Sequence, residues 1–140
     1  MEVSLVRRRL QSAIEASRSR AQQRRQDNAA AEQAFESFLH AIAVPVTKQL
    51  ANALKVEGYA FTVFTPGGGL RLASDRGRDD YVEFALDTNG PQPQVVGRIS
   101  RTRGSRTITD ERPVRDGAAP AELTDEDVLN FLIETIEPWL

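Results

Sequence analysis

Residues 59 to 114 constrain the fold more than any other part of the chain. Five short runs with the period of strands, YAFTVFT, LRLAS, YVEFALD, QVVGRIS and RTITDE, are separated by PGGG, DRGRD, TNGPQP and RTRGS. Every junction carries turn residues, and none supplies the dozen or so residues that a parallel crossover needs. A five-stranded antiparallel meander is the expected topology. Folding the third and fourth strands about Asn89-Gly90 sets Leu86 opposite Val95, Phe84 opposite Gly97 and Val82 opposite Ile99, with Glu83 facing Arg98 on the other side. Folding the fourth and fifth about Arg103-Gly104 sets Ile99 opposite Ile108 and Ser100 opposite Thr107. Both hairpins then select one inner face, which is how an alternating pattern specifies register.

Helices are expected on either side of this sheet, giving an α+β fold: a long N-terminal helix or two helices, the meander, and a C-terminal helix packed on it. Val3, Val6, Leu10, Ala13 and Ile14 follow a 3-4 spacing, but the stripe continues through Ser17, Arg20, Ala21, Arg24, Asp27 and Asn28 before recovering at Ala31, Phe35, Phe38, Leu39 and Ile42. Residues 16–34 are good helix formers without glycine or proline, yet they offer nothing large to bury. Residues 1–31 therefore read as a polar, basic helical extension, either solvated and frayed or covered by a partner, and residues 32–140 as a compact α+β domain.

Within that domain Pro45 is expected either to kink one helix or to open a second. Val44, preceding the proline, is biased out of the α region, which favours two helices over one smooth rod. Gly58 supplies a C-cap. The last helix carries Thr124 as N-cap, Asp127 completing a capping box, and Leu123 with Val128 as a hydrophobic staple. Val128, Leu129, Leu132, Ile133, Ile136, Trp139 and Leu140 form the apolar face expected to lie on the sheet.

Composition narrows the chemistry. The chain has 140 residues, 40% of them hydrophobic, enough for one core that removes roughly two-thirds of the unfolded surface from water. It contains no cysteine, hence no disulfide framework, thiolate nucleophile or Cys-based metal site. No apolar run approaches the roughly 20 residues of a membrane span, and the N-terminus lacks the apolar core of a secretory signal. A cytoplasmic location is the expectation.

The single histidine, His40, sits in an apolar helical segment, and no nucleophile-elbow pattern accompanies it. Gly67, Gly68 and Gly69 lack the Lys-Ser/Thr of a phosphate loop and link two strands, so they read as a turn. Asp75, Asp79, Asp80, Glu83 and Asp87 do not follow an EF-hand order, and Arg76 and Arg78 lie among them. Solvated loop charge and cross-strand ion pairs account for that set. No catalytic, cofactor-binding or metal-ligating residue is therefore assigned, and a non-enzymatic role is expected.

Charge is the remaining signal. The net charge of −2 hides a strong segregation, with six arginines between Arg98 and Arg115, and seven carboxylates without any Lys or Arg from residue 116 to 140. Candidate partner or phosphate contacts are Arg98, Arg101, Arg103 and Arg106 on the hairpin, and Arg7, Arg8, Arg9, Arg18, Arg20, Arg24 and Arg25 on the first helix. Three functional classes follow. The favoured one is a protein-interaction or assembly module that presents its N-terminal helix either to a protein partner or to a second copy of itself, the latter making it homo-oligomeric. The alternative is nucleic-acid binding by the basic hairpin and helix, although the hairpin lacks interleaved aromatic residues. The third is a small-ligand protein or enzyme without a linear motif. Membrane-surface binding ranks last, because the helix arginines scatter around the axis where the apolar stripe fades.

Overall fold

The computed structural model describes residues 1–77 and 79–140; Arg78, within the second connection of the meander, lies outside the described residues. The chain divides into two units, Met1–Ala30 and Ala31–Leu140.

The first unit consists of the N-terminal part of helix α1 (Val3–Phe38). No glycine or proline occurs before Pro45, so nothing in the local sequence interrupts the helix. Its side chains are exposed apart from the half-buried Leu5 and Asn28.

The second unit opens with the last turns of α1, where Ala31 and Phe38 are buried. A single wide π turn, Leu39–Ala43, joins α1 directly to α2 (Val44–Val56). The expectation that Val44 leaves the α region is corrected: it is helical, with φ −63° and ψ −51°, and its N–H donates to the Leu39 carbonyl five residues back. The extra residue in the turn relieves the crowding that a proline ring imposes on the preceding helical carbonyls. Pro45 then occupies the first turn of α2, directly after the π turn in which the hydrogen-bond pattern changes. The α2 helix ends in a Schellman cap, with Gly58 at φ +92°, the Gly58 N–H on the Lys55 carbonyl and the Tyr59 N–H on the Leu54 carbonyl.

Strands β1 (Phe61–Phe64), β2 (Leu70–Ser74), β3 (Tyr81–Asp87), β4 (Gln94–Arg103) and β5 (Arg106–Pro113) form one antiparallel sheet in chain order. The β3–β4 register is the expected one, Leu86 opposite Val95, Phe84 opposite Gly97, and Val82 opposite Ile99. The β4–β5 register differs by two residues: Ile99 opposes Asp110, Ser100 opposes Thr109, and Ile108 opposes Arg101. The cause is the turn. Its two central residues are Gly104 and Ser105, and Gly104 at φ +62° fits the first central position of a type II′ turn, which selects glycine. The inner apolar face therefore stops at Ile99, and Ile108 is 38% exposed.

Helix α3 (Asp125–Ile136) follows a short 3-10 turn at Pro120–Glu122. The capping box is complete, the Thr124 side chain accepting from the Asp127 N–H and the Asp127 carboxylate accepting from the Thr124 N–H. The helix buries Val128, Phe131, Leu132, Thr135 and Ile136, so its inner face is centred between Val128 and Leu132, with Phe131 along one edge. The broader expected face is corrected, since Leu129, Ile133 and Leu140 are exposed. Phe131 settles onto Gly97 of β4, where a β-carbon would overlap the phenyl ring. A chain of rings continues from it through Phe84 to Phe38 and Phe35, with centroid separations of 6.1 to 6.3 Å. Around these rings Leu70, Leu72, Val82, Val95, Val128 and Leu132 complete the core.

Two outcomes are expected. Gly97→Ala inserts a methyl group into the Phe131 contact, and chemical denaturation should register a loss of about 1 to 3 kcal/mol. The second concerns acid. The Thr124 N–H, opposed by partial burial and reinforced by the Thr124 hydroxyl and by Arg115, holds the Asp127 carboxyl below its ordinary value of 3.8. A depressed carboxylate contributes its full stability above the unfolded value and loses it as pH falls through the lower folded value. The stability difference between wild type and Asp127→Asn, measured by urea denaturation, should therefore be largest at neutral pH and shrink as pH drops below 3.8.

Candidate functional site

The hairpin of β4 and β5 carries the densest candidate chemistry, and its pleat sorts the arginines. Alternation along β4 puts Arg101 and Arg103 on the same face as the core residues Val95, Gly97 and Ile99, and puts Arg98 on the opposite face. Pairing of Arg103 with Arg106 and of Arg101 with Ile108 places Arg106 and Ile108 on that inner face as well. The structure thus brings Arg101, Arg103 and Arg106 together beyond the edge of the core and separates Arg98 from them.

Arg98 belongs to a row of alternating charge on the outer face. Arg71, Glu83, Arg98 and Glu111 lie side by side across β2, β3, β4 and β5. Arg71 donates to Glu83 at 2.9 Å, and its guanidinium stacks 3.9 Å from the centre of the Tyr81 ring. Arg98 donates to Glu111 at 3.2 Å, so the partner it takes is on β5 and not Glu83. Beside this row lies an open cleft of about 500 Å³ lined by Tyr81, Glu83, Arg98, Ser100, Thr109 and Glu111. Its charges already satisfy one another.

Two further arginines support the fold. The Arg112 guanidinium lies 6.0 Å from the centre of the Phe131 ring and donates to the Thr135 hydroxyl at 3.4 Å. Arg115 donates to Asp127 at 2.9 Å and to the Glu122 carbonyl at 3.4 Å, which ties the connection after β5 to the start of α3. Of the six arginines in the segment, only Arg101, Arg103 and Arg106 make no ion pair among the described residues.

Of those three, Arg101 lines a second groove, about 370 Å³, formed where the inner face of the hairpin meets the end of α3 and the 3-10 turn Glu137–Trp139, and Arg103 and Arg106 continue the same strand face beyond it towards the turn. Ile99 and Ile108 line its sheet side, Pro138 and Trp139 its helix side, with Arg101, Asp110, Arg112 and Glu134 among the polar lining. Trp139 was assignable from sequence only to the apolar face of α3. Its position beside the arginines depends on the sheet-to-helix packing, which no local pattern encodes.

Acidic residues of the β2–β3 connection and of β3 have separate tasks. Asp75 accepts from the Thr62 hydroxyl at 2.7 Å, Asp80 from the Thr102 N–H at 2.7 Å, Asp87 from the Asn89 N–H at 2.9 Å, and Glu83 from Arg71. Asp110 accepts from the N–H of Glu111 at 2.8 Å. That N–H points off the open edge of β5, so the contact blunts the edge against pairing with another strand, as does Pro113, which has no N–H. Gly67 and Gly68, both at positive φ, build the turn between β1 and β2. His40 is exposed in the π turn.

In the first unit, Arg7, Arg8, Arg9, Arg18, Arg20, Arg24 and Arg25 are all exposed, and none makes an ion pair among the described residues. Successive helical residues are rotated by about 100°, so these arginines fan around the axis and leave one apolar line: Val3, Val6, Leu10 and Ile14, respectively 75%, 49%, 58% and 41% exposed. Among the described residues, no helix is long and apolar enough to cross a membrane.

The Arg98–Glu111 end of the outer charge row is solvent-accessible, and that pair should contribute little to stability. A double-mutant cycle on Arg98→Ala and Glu111→Ala should give a coupling of about 1 kcal/mol or less that shrinks as salt is added; a salt-insensitive coupling several times larger would contradict this reading. No protein-family model, curated protein or solved structure matches the chain.

Proposed function

We propose that the protein is a non-enzymatic assembly module that associates with a second copy of itself through the N-terminal part of α1. The observation that carries this reading is the exposed line Val3, Val6, Leu10 and Ile14 on a helix whose first thirty residues bury nothing larger than part of Leu5 and Asn28. Helices in proteins gain most of their stability from burying an apolar stripe, and this one leaves its stripe exposed. The spacing of 3, 4 and 4 residues is that of a seam between two helices. Small side chains at Ser17 and Ala21 prolong the line and permit close approach.

The arginines set the character of the association. Residues 1–30 carry seven arginines and three carboxylates, so two copies brought together repel. Added salt screens that repulsion and leaves the apolar contact in place. Self-association should therefore strengthen with ionic strength.

Light scattering coupled to size exclusion, over a concentration series at low and moderate salt, tests the proposal. The wild-type mass should rise towards that of a dimer with concentration, and rise earlier at the higher salt. Leu10→Asp with Ile14→Asp should hold the protein at the mass of one chain while circular dichroism reports an intact β-sheet domain. A wild type that remains a single chain throughout, or a variant that associates as the wild type does, would sink the proposal.

A further inference from the structure

We propose that the groove at the foot of the β4–β5 hairpin binds single-stranded nucleic acid, with Trp139 stacking against a base and Arg101, Arg103 and Arg106 holding phosphates. This site lies entirely within residues 31–140 and is independent of association through α1.

Three features of the groove converge on this ligand. The first is unused positive charge. Arg101, Arg103 and Arg106 share one face of a two-stranded ribbon, and none makes an ion pair among the described residues. Each guanidinium retains a fork of donors suited to phosphate oxygens. Arg101 and Arg103 are two residues apart on one strand, a step of about 6.8 Å, so neighbouring arginines can address neighbouring phosphates of an extended strand. The second feature is an aromatic ring at the foot of the ribbon. Trp139, half-buried, lines the groove together with Ile99, Ile108 and Pro138, and the groove volume of about 370 Å³ is of the size that small-molecule sites occupy. A basic track leading to an aromatic platform is the arrangement by which proteins hold unpaired strands.

The third feature distinguishes ligand classes. Glu134 and Asp110 also line the groove, and Asp110 is engaged by the Glu111 N–H and by the Arg112 guanidinium at 3.9 Å. Glu134, without an ion pair among the described residues, repels the carboxylates of an acidic peptide, whereas a nucleobase offers it amino and imino donors while its phosphates remain outside on the arginines. In a duplex the base faces are already stacked on one another, and Trp139 would have none to cover. An unpaired strand satisfies the ring, Glu134 and the arginines together.

Trp139 is the only tryptophan in the chain, so its fluorescence reports on the site directly. The full-length protein is titrated with a short unlabelled single-stranded DNA of mixed sequence at several salt concentrations, and binding is followed in parallel by anisotropy of a labelled copy. The expected result is quenching of Trp139 that tracks the anisotropy, with a log–log salt slope near −2, as three neutralised phosphates on a single strand would give. Replacing Arg101, Arg103 and Arg106 together by glutamine should lower affinity about tenfold or more and flatten the slope. Trp139→Leu should weaken binding roughly 5- to 150-fold and leave the slope intact. Circular dichroism and thermal unfolding establish that each variant is folded, and the wild-type quench stands without any variant. Absence of binding at low salt, binding without quenching, or an arginine variant that binds as well as the wild type would each overturn the assignment. Equal quenching by a polyglutamate peptide would hand the groove to acidic peptides, and tighter binding of the same sequence as a duplex would hand the hairpin to duplex phosphates.

Discussion

The packing of α3 against the sheet rests on a single close approach, the Phe131 ring lying over the bare backbone of Gly97. Because β4 is flanked by β3 and β5, a residue missing its side chain there leaves a depression in the middle of the inner face, and the largest side chain of α3 fills it. From that contact the chain of phenylalanines carries the core across to the end of α1, so one glycine fixes both the height of α3 above the sheet and the line along which the aromatic rings meet. The position of Thr135, and through it the hydrogen bond to Arg112, follows from the same helix placement. So does the location of Trp139 next to the inner face of the hairpin.

Where that helix ends, the inner face changes character. Up to Ile99 it is apolar and covered; beyond Ile99 the same face continues as Arg101 and Arg103 on β4 with Ile108 and Arg106 on β5. An antiparallel ribbon extending past its core must expose one face that elsewhere would be buried, and here that face is basic. The other six-residue share of charge is spent locally in pairs: Arg71 with Glu83, Arg98 with Glu111, and Arg115 with Asp127. The exposed pair among them, Arg98 with Glu111, is weak, and the pairing as a whole leaves a small set of arginines uncompensated.

The sheet, its order and the β3–β4 register were legible because one face alternates cleanly from Val82 to Leu86 and from Val95 to Ile99. The cap of α3 was legible for a similar reason, since Thr124, Asp127, Leu123 and Val128 act over a few residues. The β4–β5 register was not. Its apolar marker, Ile108, is exposed, and the pairing is decided by the backbone preference of Gly104 and not by burial. The π turn at Leu39–Ala43 was hidden for another reason: the competition between helix continuity and Pro45 is resolved by a change of hydrogen-bond pattern that leaves no residue signature. At the candidate site, the arginines were visible in sequence, but their division between two faces and their proximity to Trp139 are tertiary facts.

The helical extension is where local and global preferences diverge, because helix propensity is strong while the apolar line Val3, Val6, Leu10 and Ile14 is exposed. Amide hydrogen exchange as a function of protein concentration tests the resulting claim most directly. If residues 3–14 are covered by a second copy, their protection rises with concentration while that of the strands Tyr81–Asp87 and Gln94–Arg103 stays constant. Protection of residues 3–14 that is the same at every concentration would contradict association through this helix.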